Sequence, residues 1–218
     1  MILTSKPARL HENLARDPRP VQGRALTDAP ANDNSRRSNM RQEQIVIQPT
    51  IGASRFLLRP MRKSDAGLVT LYAGDRRIAE GTKAIPHPLP PGLAETMISR
   101  ALSETRTEDT WVMDGSADGL GEVLGIVTLA HIGKDQSEIG YWVAPAFWNT
   151  GLASEAVAAV VAANPHRSRT LFAEVFQDNP GSARVLTNCG FEYLGDAESW
   201  SVARNAMVPT WTYTRKMG

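Results

Sequence analysis

Between Glu138 and Asn164 the chain passes from a strand pattern through Ala144-Pro145-Ala146-Phe147-Trp148-Asn149-Thr150-Gly151 into Leu152-Ala153-Ser154-Glu155 and then the longest purely apolar run of the sequence, residues 156–163. That order, strand then glycine-bearing loop then helix, constrains the fold more than any other feature. With helices alternating with strands along the chain, one mixed sheet covered by helices is expected. The run falls far below the roughly 20 residues that span a bilayer, and no membrane-crossing segment is expected. The start of such a helix offers free main-chain N–H groups and the positive end of its dipole to an anion. Gly151 would let a ligand approach the main chain closely. By itself, however, a glycine there is equally at home as a plain cap or turn.

The flanking sequence supports one mixed sheet. Phe56-Leu57-Leu58-Arg59 reads as a strand that stops at Pro60, and Ser64-Asp65 as the cap of a helix carrying Ala66, Leu68, Val69, Leu71 and Tyr72. Ile85-Pro86-His87-Pro88-Leu89-Pro90-Pro91 can only be an extended loop, because proline removes the donors that helix and sheet need. A helix is expected over residues 93–104, strands over 110–113 and 123–130 around a 115–121 turn, and another strand over 138–143. After the apolar helix come a strand over 170–176, a short helix over 180–188 ended by Gly190, and strands over 191–194 and 210–215.

Residues 1–50 are different. They hold no Phe, Tyr or Trp and are broken by five prolines, so they cannot build a core and are expected to form a disordered arm ahead of a 51–218 domain. The arm carries 8 Lys and Arg against 5 Asp and Glu, which makes it mildly basic; the whole chain has a net charge of only +1. Nothing general therefore pulls it toward nucleic acid or an anionic membrane. The single cysteine, Cys189, excludes an intramolecular disulfide and a paired-cysteine zinc site, in keeping with a reducing, cytoplasmic setting. Four scattered histidines offer no metal-ligand spacing.

Glu138-Ile139-Gly140-Tyr141-Trp142-Val143-Ala144-Pro145, then Trp148-Asn149-Thr150-Gly151-Leu152-Ala153-Ser154-Glu155-Ala156, then Asn179-Pro180-Gly181-Ser182 and Cys189-Gly190-Phe191 resemble the GCN5-related N-acetyltransferases (GNAT). Arg55-Phe56-Leu57-Leu58-Arg59-Pro60 and Ile85-Pro86-His87-Pro88 match the branch of ribosomal-protein N-terminal acetyltransferases. The resemblance implies an α+β fold: a twisted mixed sheet of about seven strands flanked by about four helices. Its fourth and fifth strands would splay apart to take the pantetheine arm of acetyl-CoA beside Trp142, Val143 and Ala144. It implies that Asn149, Thr150, Gly151, Leu152, Ala153 and Ser154 receive the diphosphate, that Trp148 belongs to the same cofactor site, that Asn179 and Ser182 flank pantetheine, and that no metal takes part. Two positions depart from the pattern: Trp148 and Thr150 stand where relatives commonly carry Gln or Arg and a basic residue. Arg167, Arg169 and Arg184 are candidates to restore the charge.

Transfer of an acetyl group from a thioester to an amine needs a neutral nucleophile, a donor for the charge developing on the carbonyl oxygen, and a proton for the leaving thiolate. The resemblance points to Glu138 as the base, a residue that reads equally as a strand-end carboxylate ordering the sheet edge, and to the Val143 N–H as the donor. Many relatives use a tyrosine in the last helix as the acid; Leu186 occupies that position, and Ser182 is the substitute. Ser182 reads equally as a helix cap. Cys189 reads as a small buried residue and His87 as part of a turn.

The expected function is acetyl transfer from acetyl-CoA to a primary amine, either a protein N-terminal α-amine or a small molecule, by a monomer or homodimer. Two rival readings remain open at this stage. One is an acyl-CoA-binding sensor of the same fold with lost catalysis, and the other a ribosome- or RNA-associated protein acting through its basic arm.

Overall fold

The computed structural model of the chain describes residues 48–218. The expected arm lies outside them except for its last residues. Gln48 is buried and its side-chain amide donates to the Thr110 carbonyl, while the Trp111 indole donates to the Pro49 carbonyl. The folded body therefore includes Gln48 and Pro49, which the sequence reading placed in the arm.

A single eight-stranded sheet runs in the order β1-β2-β3-β4-β5-β6-β8-β7. Its strands are β1 (Ile51–Gly52), β2 (Leu57–Pro60), β3 (Glu108–Asp114), β4 (Gly125–Gly133), β5 (Gln136–Val143), β6 (Thr170–Phe176), β7 (Glu192–Ser201) and β8 (Ala206–Lys216). Five α-helices accompany it: α1 (Ala66–Ala73), α2 (Arg76–Glu80), α3 (Leu93–Ala101), α4 (Leu152–Ala163) and α5 (Pro180–Asn188). The α+β class holds. The strand and helix counts exceed the expectation by one each, through the two-residue β1 and the short α2.

Strand periodicity assigns the side chains to two cores, because alternate residues point to opposite faces. Trp111, Met113, Val127, Leu129, Ile139, Val143 and Leu171 meet α4 and α5, whereas Val112, Ile126 and Trp142 meet α1, α2 and α3. Leu152, Ala156, Val157, Val160 and Val161 form the buried stripe of α4. The helix ends at Asn164, which adopts a left-handed conformation (φ 38°) before Pro165.

One junction positions everything that follows. Every other neighbouring pair in the sheet is antiparallel, but β5 and β6 run parallel, with α4 as their crossover. They pair only at Gln136–Thr170, Ser137–Leu171 and Glu138–Phe172. Beyond Glu138 the two strands separate, and each continues with its other neighbour. This is the splay expected between the fourth and fifth strands; counting β1 makes them the fifth and sixth.

The Ser64-Asp65 cap takes a different form. No side chain caps α1; Asp65 is instead buried, accepting from the Arg62 main chain (2.7 Å) and from both terminal nitrogens of Arg59 (2.9 Å each). Arg59 also donates to Asp114 at 2.5 Å, so one guanidinium ties β2, β3 and the start of α1 together.

Candidate active site

Where β5 and β6 part, a cleft of about 730 Å³ opens between the end of β5, the start of α4 and the start of α5. The loop before α4 is shaped by two left-handed residues, Asn149 (φ 61°) and Gly151 (φ 82°). The positive φ is the reason for glycine at 151. A Cβ there would point at Arg55, 3.6 Å away in ordinary contact, on a residue that does not line the cleft. The close approach of a ligand to Gly151, expected from sequence, is therefore secondary to backbone conformation.

No side chain caps α4. The Glu155 carboxylate, which could fold back onto the first turn, is instead held by the Arg55 main-chain N–H (2.8 Å) and Nε (2.7 Å). Gly151, Leu152, Ala153 and Ser154 line the cleft, and the uncapped first-turn N–H groups with the helix dipole behind them form an anion cradle. Asn149 lines it as well; Thr150 does not, its hydroxyl donating to the Phe147 carbonyl at 2.6 Å.

Arginines from outside the loop line the cleft. Arg184, on α5, lines the cleft, as do Arg77 and Arg204, which the sequence reading missed. Arg167 and Arg169 lie away from it, on a surface hollow with Lys216. Arg204 is paired with Asp178, Arg77 is paired with Asp75 through bonds of 2.7 and 3.0 Å, and the Arg77 guanidinium lies 5.2 Å from the Trp148 ring centroid. Trp148 is 42% exposed and its indole donates to the Val143 carbonyl at 2.6 Å.

That bond also fixes the direction of the Val143 main chain. Ala144 N donates to the Leu124 carbonyl, so by the alternation of an antiparallel ladder Val143, opposite Gly125, is a non-hydrogen-bonded position. Its N–H and C=O turn away from β4, toward the side on which β6 has separated. Trp142 lines the cleft, but it also belongs to the core beneath α1–α3.

Asn179, not Ser182, caps α5: its side-chain oxygen accepts from the Ser182 N–H at 3.1 Å. Ser182 is thereby freed for another partner, and its hydroxyl donates to the Tyr141 hydroxyl at 2.8 Å. The Tyr141 hydroxyl in turn donates to the Ser182 carbonyl at 2.9 Å. Burial pushes the Tyr141 phenol well above its usual range, so it stays protonated. Leu186 is fully buried in the core, and the tyrosine missing from the helix is matched by one on β5. The available signal was its place in Ile139-Gly140-Tyr141, where period-2 patterning puts it on the same sheet face as Ile139 and Val143.

Glu138 lines a smaller adjoining cavity of about 110 Å³, which shares Tyr141, Asn179 and Ser182 with the main cleft. Its carboxylate is 2.6 Å from the Lys83 ammonium, a partner invisible in the sequence. Cys189 is buried with its thiol donating to the Ser154 carbonyl, and burial pushes that thiol up, away from reactivity. His87 is exposed and lines neither cavity. Among the described residues no three His, Cys, Asp or Glu side chains gather in a way that could hold a metal ion, and no helix is long and apolar enough to cross a membrane.

A twisted sheet parted at one parallel junction, with an uncapped helix start at its mouth, is the architecture of an acyltransferase that uses an activated thioester. The chain belongs to the GNAT acetyltransferase family, whose acetyltransferase domain matches residues 55–192, and it is by family an N-acetyltransferase. Its fold is similar to that of a ribosomal-protein-S5-alanine acetyltransferase from Vibrio fischeri (TM-score 0.65, 17% identity, covering 78% of this chain and 97% of that one). It is similar too to RimJ of Mycobacterium smegmatis in complex with CoA-disulfide (TM-score 0.66, 20% identity, 78% and 88% covered). A third similar structure is the spermidine N-acetyltransferase of Vibrio cholerae in complex with CoA and spermine (TM-score 0.64, 15% identity, 75% and 96% covered). No curated protein sequence matches the chain.

Proposed function

We propose that the protein transfers the acetyl group of acetyl-CoA to a primary amine, with a protein N-terminal α-amine as the acceptor class. The uncapped α4 start at the mouth of the β5–β6 splay carries this reading. Asn149 and residues 151–154 fit a diphosphate through main-chain N–H groups, with Arg184 nearby as a cation. Acetyl-CoA supplies the acyl group as a thioester. Glu138 takes the proton from the acceptor ammonium, and the neutral nitrogen attacks the carbonyl carbon. The Val143 N–H, fixed by the sheet, receives the charge developing on the carbonyl oxygen without reorganising. As the C–S bond breaks, Ser182 gives its hydroxyl proton to the sulfur and regains one from the acceptor nitrogen, which sheds its second proton as the amide forms, while Tyr141 stays protonated and orients the Ser182 hydroxyl. An α-amine has an ordinary pKa near 8 against about 10.4 for lysine, so the half-exposed Glu138 suffices as its base.

The test combines calorimetry with turnover. The wild type should bind acetyl-CoA and release thiol with peptide α-amines faster than with spermidine. Gly151→Val, which cannot hold φ 82° without strain, should lose acetyl-CoA binding at least tenfold while keeping its fold. Normal binding by Gly151→Val refutes the cradle; binding without turnover of any amine leaves a sensor and refutes the enzyme.

A further inference from the structure

We propose that Lys83 is a positioning residue for catalysis, holding the Glu138 carboxylate in place at the apex of the splay. The inference rests on the reading of Glu138 as the base. Lys83 lies in the segment just after α2, where its carbonyl accepts from Val202 N at 3.0 Å, so its main chain is fixed by the β7–β8 turn. Its ammonium reaches across the parted strands: Nζ is 2.6 Å from Glu138 Oε1 on β5 and 2.9 Å from Glu174 Oε2 on β6.

Those two carboxylates stand where main-chain pairing stops. Glu138 opposes Phe172 in the last rung, and Glu174 lies two residues further along β6 on the same face. The lysine thus takes over, by charge, the link between strands that hydrogen bonding gives up.

Glu174 is anchored independently. Its Oε1 accepts from the Ser199 and Thr210 hydroxyls, both at 2.6 Å, which leaves Oε2 directed at Lys83. Glu174 with these two hydroxyls is the fixed end of the arrangement and Glu138 the end that must meet the acceptor.

The charges around Glu138 explain the need. Glu174 faces it from β6 and Glu108 from β3, on the same side of the sheet; Tyr141, the remaining titratable neighbour in the small cavity, stays neutral. Lys83 is the one cation among these groups. Its pairs are too exposed to matter much for stability, with the Lys83 side chain 40% accessible, so its effect falls on Glu138 itself. Without it Glu138 faces Glu174 with no cation between them, and a neighbouring like charge disfavours the ionised carboxylate. A protonated Glu138 cannot accept the acceptor's proton.

The experiment compares Lys83→Met, Lys83→Arg, Glu174→Gln and Glu138→Gln in the full chain, using acetyl-CoA and the tripeptide Ser-Ala-Ala over pH 5.5–9.5. In Lys83→Met the acid limb of kcat/KM should move up by about one unit or more, so that the rate falls about tenfold at pH 6 and recovers near pH 9. Lys83→Arg should keep the wild-type profile. Glu174→Gln should move the limb the other way, because it removes an anion and leaves the cation. Acetyl-CoA affinity should be the same in all. The acceptor's own ionisation is common to every variant, so the difference between profiles isolates Glu138.

A uniform loss at every pH, with weakened acetyl-CoA binding, would make Lys83 a structural bridge and overturn the proposal. So would an unmoved profile in Lys83→Met together with one in Glu174→Gln; the second variant keeps the test alive if the first does not fold. Carbon-13 NMR of the Glu138 carboxylate in wild type and Lys83→Met reads the same displacement without turnover. If that displacement is present while Glu138→Gln retains full activity, the base assignment fails and the proposal with it, whereas binding of acetyl-CoA by all variants preserves the wider reading.

Discussion

Replacing Arg59 with methionine keeps most of the stem and removes a guanidinium on which two carboxylates depend. Arg59, Asp65 and Asp114 side chains are 7%, 3% and 11% exposed, and the guanidinium meets them with three hydrogen bonds of 2.5–2.9 Å. Burial alone would lower the Arg59 pKa; the bonds to Asp65 and Asp114 outweigh it and raise it. Removing one partner of a buried ion pair strands the other charge, at about 3–5 kcal/mol. Asp114 retains the Ser116 main-chain and hydroxyl donors, and Asp65 the Arg62 N–H, which favours the lower end of that range. A protein of this size changes its Tm by about 2–4 °C per kcal/mol, so the expected drop is roughly 6–12 °C. Urea unfolding at pH 7 should show a lower midpoint with the slope unchanged. Arg59→Lys should recover little, since an ammonium cannot engage Asp65 with two parallel bonds. The double variant Arg59→Met, Asp65→Asn should be more stable than the sum of its parts, because the stranded charge is gone. A loss below about 1 kcal/mol in Arg59→Met, or simple additivity in the double variant, would refute the argument that these charges are held as one unit.

Stability should respond to acid in two steps. Burial pushes His131 below its usual value of 6.5, with His166 adding to the effect, so its contribution is present at neutral pH and begins to be lost as pH falls below about 6.5. Asp109, Asp114 and Glu174 are held below their usual range despite burial, by bonds from His166 and Arg106, from Ser116 and Arg59, and from Ser199, Thr210 and Lys83 respectively. Their contribution is intact above about pH 4 and is lost as pH falls through the folded values, so urea midpoints from pH 8 to 2.5 should show a shallow decline and then a steep one. Ser182→Ala should lower kcat by about 10² or more with unchanged acetyl-CoA affinity, and because Asn179 holds the α5 cap, it should cost little in melting temperature; wild-type turnover in steady-state assays would remove Ser182 from the mechanism.

Much of this molecule could be read from local sequence. The strand at 170–176 and the helix at 180–188 coincide with β6 and α5, because Pro180 and Gly190 punctuate them and Asn179 supplies a capping side chain. Punctuation of that kind was lacking in β7, whose residues are mostly exposed and show no clean apolar alternation, so residues 195–201 were missed. The strand expected over 210–215 extends back through Pro209, which sits beyond the end of β6, where Gln177 N donates to its carbonyl. At the site, residues contiguous with the glycine loop were legible. Lys83, Tyr141, Arg77 and Arg204 were not, since their roles come from contacts across the fold that no local pattern encodes.

The three-rung junction between β5 and β6 has a mechanical meaning. Five strands lie on one side of it and three on the other, so along its main-chain bonding the sheet behaves as two plates stitched at one corner. A strand-like ligand arm lying in the gap would stitch the rest of the seam. Under load, or in the slow openings that amide exchange detects, the plates would part there first when the gap is empty and move as one when it is filled. Occupancy of the cleft would then be legible at the far edge strands, β1 and β7, neither of which touches it.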